Sequence, residues 1–317
     1  MQVQGDLFQR ANASVGDLPP ATRELLCNCP HSGSGERRVH RWIIEIANQL
    51  RHYVTAEVAA QLIRQHISRR PKRHEIGDTV VKVFGEVVWG TETPRSWPKP
   101  DPQQIDWIVS ENDYEVPGLE VLRSRSAEIP TTAREILSSL FGADTFLCCG
   151  LQVAGWIIRK LGEFENLKAF QFIVPNPMLG PGTRCLANTA ERQYIVVDFD
   201  LKGDWIEPIL KRWAKYGRSP QDGMATLIGV MTQPPSSAPL VLVVFSGNVS
   251  LQAWFWCAGI EPEKLAKWFS DNCVLGADPA GWVRCQYFRM PWGRRLEPAA
   301  IQEVVFFNPE AIKACAG

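Results

Sequence analysis

The chain has 317 residues, 45% of them hydrophobic, with 12 Trp and 14 Phe, which is enough for a sizeable core and more than one domain. Lys plus Arg and Asp plus Glu stand at 34 each, so the net charge is zero, a general electrostatic grip on nucleic acid is not visible from the totals, and any basic face must be local. The polar start Met1-Gln-Val-Gln-Gly-Asp6 does not resemble a signal peptide, and no apolar run reaches the roughly 18 residues of a membrane span. The nine cysteines are therefore expected as reduced thiols of a cytoplasmic protein without a membrane partner.

In chain order, residues 1–35 are polar and Gly/Ser-rich and are expected to be a flexible segment. Residues 36–89 form a small basic helical domain. Its first helix carries Val39, Trp42, Ile43, Ile46 and Leu50 at helical spacing. The second carries Val58, Leu62 and Ile63 after a candidate N-cap at Thr55, and the third carries Ile76, Val80, Val83 and Phe84. Arg37, Arg38 and Arg41 lead a basic set that suits nucleic acid, although solvated helix faces would look the same. Residues 90–128 are dense in proline, as in Trp97-Pro-Lys-Pro-Asp-Pro102, and are expected to be a linker.

Residues 129–317 have a mixed α/β pattern. Strands are expected at 145–149, 170–175, 194–200, 239–245, 250–257, 284–289 and 303–307. Helices are expected at 131–141, 151–161, 205–216, 220–231 and 261–273. Cys148 and Cys149 lie in an apolar run and are expected in the core. All five histidines fall at or before His74, so chemistry in this domain cannot use histidine as base or ligand.

The strand Tyr194-Ile-Val-Val-Asp-Phe-Asp200 ends in two carboxylates one residue apart. Alternate side chains of a strand share a face, so Asp198 and Asp200 point the same way and repel unless a cation sits between them. Hard oxygen donors suit Mg²⁺ or Mn²⁺, and paired ions of that kind run phosphoryl transfer. The bland alternative is a polar strand end entering a turn. Asp278 offers a third carboxylate, or else an N-cap, since Pro279 follows it.

The turn Ser246-Gly-Asn-Val-Ser250 can present backbone N–H groups and hydroxyls to phosphate, or simply close a hairpin. Arg289-Met-Pro-Trp-Gly-Arg-Arg295 sets three guanidiniums around a turn, a pattern that suits phosphates or an exposed basic surface. The Cys27-x-Cys29-Pro-His31 run, with His40 as a fourth ligand, has a Cys-x-Cys gap narrower than zinc sites use.

These motifs fall in an order that resembles the archaeo-eukaryotic primase superfamily, in the version found in plasmid, phage and bacterial primase-polymerases. The residues that carry the resemblance are Val197-Asp-Phe-Asp200, Ser246-Gly-Asn-Val-Ser-Leu-Gln252, Gly276-Ala-Asp278 and Arg289-Met-Pro291. Phe172-Ile-Val-Pro175 and Phe306-Phe-Asn-Pro309 extend it, and Gly35-Glu-Arg-Arg38 resembles the start of the helical domain that accompanies such primases. The resemblance covers roughly residues 130–312.

It implies an α/β (α+β) fold, a two-layer core with an RRM-like sheet, preceded by a small all-helical domain. It also implies a nucleotidyltransferase making primers on single-stranded DNA or RNA from NTPs or dNTPs, in replication of a mobile element, phage or plasmid. Asp198, Asp200 and Asp278 would be catalytic and would bind Mg or Mn in a two-metal arrangement. Ser246, Gly247, Ser250, Gln252 and Arg289 would face the nucleotide. Arg37, Arg38, Arg41, Arg294 and Arg295 would contact nucleic acid, and a helicase or other replication protein is a further expected partner.

Two positions depart from the family pattern. Its loop lysine aligns with Val249 and its histidine with Gln252. Loss of one or two preorganised cationic donors costs roughly 3–6 kcal/mol of transition-state stabilisation. Three readings follow: an enzyme in which Arg284, Arg289 or Arg294 compensates; a degenerate primase-fold module that binds nucleic acid or a replication or defence partner; and a metal-dependent nuclease that uses the same acids.

Overall fold

The computed structural model describes residues 15, 18–30, 36–51, 54, 56–68, 75–85, 97–112, 116–153, 155–199, 201, 203–233 and 238–313. The chain divides into two compact units, Met1–Thr91 and Glu92–Gly317, close to the expected end of the helical domain.

The first unit is helical. It contains α1 (Pro20–Cys27), α2 (Glu36–Leu50), α3 (Ala56–His66) and α4 (Glu75–Gly85). The apolar stripes meet in one core that includes Val39, Trp42, Ile43, Ile46, Leu50, Leu62, Ile63, Ile76, Val80 and Val83. The helix α1 corrects the expectation of a flexible segment over 1–35. Pro20 opens it, Leu26 is fully buried, and the Leu25 carbonyl accepts from the Trp42 indole N–H at 2.8 Å. Thr55 and the side chain of Phe84 lie outside the described residues.

In the second unit the expected linker is not a linker. It holds α5 (Pro102–Asn112) and α6 (Gly118–Ser124). Pro102 sits in the first helical turn, where its missing N–H costs nothing, and Asp101 Oδ1 accepts from the N–H groups of Gln103 and Gln104. The prolines mark helix starts, and Ile105, Ile108, Val109 and Leu122 are core residues.

The chain continues through α7 (Ala133–Leu140), β1 (Phe146–Gly150), β2 (Ile157–Lys160), β3 (Phe172–Ile173) and β4 (Tyr194–Phe199). Next come α8 (Glu207–Lys215), α9 (Pro220–Met231), β5 (Leu240–Phe245), β6 (Leu251–Trp256) and α10 (Pro262–Val274). The short strands β7 (Phe288–Arg289), β8 (Arg294–Arg295) and β9 (Ala300–Ile301), then β10 (Val304–Phe307) and α11 (Glu310–Lys313), complete it. The helix expected over 151–161 is instead the strand β2, in which Ile157 and Ile158 pair with Cys149 and Cys148 of β1. β-branched residues fit that pleat better than a helix.

Two antiparallel four-stranded sheets result, ordered β10-β5-β6-β4 and β2-β1-β3-β7, with β8-β9 as a separate hairpin. In the first sheet, β4 and β5 both run antiparallel to β6, which lies between them, giving a split βαβ unit closed by α8 and α9. An RRM-like sheet would place its last strand beside its first. Here β10 pairs with β5 at the far side, so the expected RRM order is not kept. The pattern of the side chains explains the layering. Ile195, Val197 and Phe199 of β4 face the helices, whereas Tyr194 and Val196 face the second sheet and α7. Asp198 therefore points into the space between the two sheets.

Burial pushes the thiols of Cys148, Cys257 and Cys273 up to about 12, Cys285 to about 11, and Cys149 well above the ordinary range. At pH 8 a thiol reagent should label Cys27 and Cys29 in the native protein and leave these five unreacted until unfolding, as read by peptide mass spectrometry. Rapid native labelling of any of the five would contradict this packing.

Candidate nucleotidyl-transfer site

The site begins with register. Asp198 on β4 lies directly opposite Gln252 on β6. The Gln252 side chain donates from Nε2 to Asp198 Oδ2 at 2.9 Å and accepts at Oε1 from the backbone N–H of Arg289 at 2.6 Å. Gln252 is only 4% exposed, so this one carboxamide ties β4 to β6 and the first sheet to β7 of the second. The position that departs from the family's histidine is thus occupied by a neutral donor and acceptor, used at both ends.

Arg289 is held in turn. Its Nη1 donates to Gln171 Oε1 at 3.2 Å, and its guanidinium lies over the Phe172 ring, 4.8 Å from the centroid. Gln171, half of whose carboxamide also donates to the Leu151 carbonyl at 2.9 Å, was not legible as a site residue. The only signal was a polar residue opening the apolar run Phe170-Gln-Phe-Ile-Val174.

Asp278 reaches the same edge by its backbone. Its N–H donates to the Asp198 carbonyl at 2.9 Å. Its exposed side chain caps the short 3-10 helix Pro279–Trp282 by accepting from Ala280 N–H at 2.9 Å. The N-cap reading of Asp278 holds, and its backbone stands beside that of Asp198. The approach is close, because a Cβ on Gly281 would come within 2.3 Å of the Val196 carbonyl oxygen. Asp200 lies outside the described residues. Among the described residues no three His, Cys, Asp or Glu side chains form a metal-holding group. The backbones of Asp198 and Asp278 meet at this edge, and their carboxylates are oxygen donors of the kind a hard divalent cation takes.

The turn Ser246–Ser250 closes the β5–β6 hairpin, with Ser246 N–H donating to the Ser250 carbonyl at 2.9 Å. Gly247 has φ +76, and a Cβ there would meet Ala300 at 2.9 Å, so glycine is required by conformation and by space. Val249 packs its side chain against the helix-side core, and its carbonyl accepts from Gln221 Nε2 at 3.1 Å. The residue in the lysine position has been drawn into the core rather than towards a ligand. Ser250 is half-buried and Asn248 exposed.

The β8–β9 hairpin covers this turn. Arg295 Nη1 donates to the Ser246 carbonyl at 3.3 Å, and its Nε donates to the Glu297 carbonyl at 2.7 Å. Arg294 is exposed on the same strand. Arg284, a candidate compensating cation, donates from Nη1 to the Ala190 carbonyl at 2.8 Å. In the first unit Arg38 and Arg41 are exposed on α2, while the side chain of Arg37 lies outside the described residues. His31 also lies outside them, and His40 sits 3.6 Å from Glu75.

Two concavities lie away from these acids. One, of about 340 Å³, is an apolar groove between α6, α9 and the ends of β5 and β10. The other, of about 270 Å³, lies at the start of α7 beside Trp292 and Ile301. Neither contains Asp198, Gln252 or Asp278. No family model, no curated protein and no solved structure matches the chain.

Replacing Gln252 with Leu keeps the volume and removes both bonds, leaving a half-buried carboxylate short of a donor. That costs about 2–3 kcal/mol. For a unit of this size the expected fall in Tm is about 4–10 °C, measured by thermal unfolding. An unchanged Tm would mean that the bridge carries no weight.

Proposed function

We propose that the second unit is a metal-dependent nucleotidyltransferase of primase-polymerase type, making primers on single-stranded nucleic acid in replication of a mobile element, phage or plasmid. The observation that carries this reading is convergence. Four separate segments meet at one edge between two sheets. Asp198 bonds Gln252, Gln252 bonds the backbone of Arg289, and Asp278 bonds the backbone of Asp198. Nothing in the packing of a hydrophobic core requires four polar segments to meet, and a nucleotidyl-transfer site does.

Asp198 and Asp278, with Asp200 two residues along the strand sequence, would hold the divalent ions. When bound, such ions neutralise the triphosphate and make the attacking hydroxyl more acidic. The rest falls to the chain itself. Gln252 fixes the orientation of the Asp198 carboxylate through a bond to Oδ2. Arg289, braced by Gln171 and Phe172, holds a guanidinium beside the same edge. The Ser246–Ser250 turn presents hydroxyls and backbone donors to phosphate. No histidine lies beyond His74, so the proton of the attacking hydroxyl must go to a carboxylate or to solvent. Template contacts are assigned to Arg294 and, in the first unit, to Arg37, Arg38 and Arg41.

One observation favours a second reading, a primase-fold module that binds nucleic acid or a partner without polymerising. Gln252 has both ends of its carboxamide engaged within the protein, and Val249 is turned into the core. Both positions where the family carries cations have become structural.

Primer synthesis by the full chain on single-stranded DNA, with labelled NTPs or dNTPs and Mg²⁺ or Mn²⁺, separates the two. The enzyme reading expects product from the wild type and a loss of at least about a hundredfold in Asp198→Ala, the scale of removing one preorganised electrostatic group. No wild-type product, with single-stranded DNA still bound, would leave the binding module as the function.

A further inference from the structure

If the site takes a nucleoside triphosphate, a cation has to stand near the Ser246–Ser250 turn, and the family's own lysine position is Val249. We infer that Arg295 is that cation: it enters from the β8–β9 hairpin and binds the triphosphate of the incoming nucleotide over the Ser246 turn. This rests on the nucleotidyltransferase reading and names a residue that performs part of it.

Three observations carry the assignment. First, Arg295 already touches the turn, with its Nη1 donating to the Ser246 carbonyl at 3.3 Å. Both of its described bonds are to backbone carbonyls, of Ser246 and Glu297, and neither partner carries the charge that a guanidinium most favours. A guanidinium offers five N–H groups in a planar fork that matches phosphate oxygens. Second, the turn presents polar side chains with no described partner. Ser246 is 1% exposed, and its hydroxyl has no hydrogen-bond partner among the described residues. Gln302 is fully buried, and neither its carboxamide oxygen nor its nitrogen has one.

Register brings these two together. Phe245 N–H donates to the Glu303 carbonyl and Val244 lies opposite Val304, so the next pair along the ladder is Ser246 and Gln302. Buried polar groups are usually satisfied, and a cluster of three such atoms beside an arginine marks a place where a polar ligand is accommodated. Third, the bond that Arg295 makes to the turn is long. It measures 3.3 Å, and the neighbouring bond from Leu296 N–H to Gln171 Oε1 measures 3.4 Å, both longer than the usual N–H···O distance. A guanidinium held by so long a bond to a neutral carbonyl can exchange it for a charged phosphate oxygen.

The test is equilibrium binding to the full chain by calorimetry in Mg²⁺, with inorganic tripolyphosphate, ATP and adenosine as probes. The expected result is that tripolyphosphate and ATP bind, adenosine binds at least tenfold more weakly, and Arg295→Ala weakens both phosphate probes at least tenfold. Arg295→Lys should recover part of the loss, and Ser246→Ala should weaken both probes several-fold. Thermal unfolding verifies that each variant is folded, and Arg295→Gln carries the same test should the alanine variant fail to fold. Arg295→Ala binding tripolyphosphate within twofold of wild type overturns the assignment and leaves the nucleotidyltransferase reading standing. A wild type that binds neither phosphate probe overturns both.

Discussion

The second unit depends on a single buried carboxamide. Gln252 donates a hydrogen bond to Asp198 on its own sheet and accepts one from the backbone N–H of Arg289 on the other. Apolar side chains such as Val196, Trp254, Phe288 and Met290 also join the two sheets, and these attract without direction. A hydrogen-bonded bridge is directional, and it fixes which residue of one sheet faces which residue of the other. The acid on β4 therefore has a defined position relative to the arginine of β7. Both belong to one site because Gln252 is shared between them.

The layers explain why the site lies at an edge. On β4 the odd-numbered residues Ile195, Val197 and Phe199 are buried against helices, leaving Asp198 on the side of the second sheet near the strand's end. The 3-10 helix that carries Asp278 packs so tightly on β4 that only glycine fits at 281. Val249, at the position that the resemblance aligns with a lysine, packs against the helix-side core. Charge has moved to a different element. The guanidinium at the turn is that of Arg295, on a hairpin that follows the second sheet. If the chain polymerises, it does so with the same acids as the family it resembles and with its cation brought in from another direction.

Much of this was legible from residue patterns, and the failures have physical causes. Period-3.6 apolar stripes located α2, α3, α4 and the helices α7 to α10, and apolar runs located β4, β5 and β6, because those elements bury one side or both. The proline-rich stretch before residue 128 misled, since proline ends a helix in its interior but starts one well, and Pro102 does the latter. The stretch 151–161 misled because two isoleucines on a four-residue edge strand carry too little period to distinguish strand from helix. Asp198 and Asp278 were singled out from sequence, and the structure sets their backbones side by side. Gln171 and Gln302 were not, because an isolated glutamine has no motif, and only the pairing of strands reveals what it faces. The placement of β10 beside β5 was equally invisible, as strand order is a long-range property.

The most direct measurement is a crystal structure of the full chain grown with Mn²⁺ and a non-hydrolysable nucleoside triphosphate, with the metal located from its anomalous signal. The account predicts a Mn²⁺ peak bonded to the Asp198 carboxylate and within reach of Asp278, with the phosphates running towards the Ser246 turn. A metal bound elsewhere, or a nucleotide seated away from Asp198 and Gln252, would contradict it.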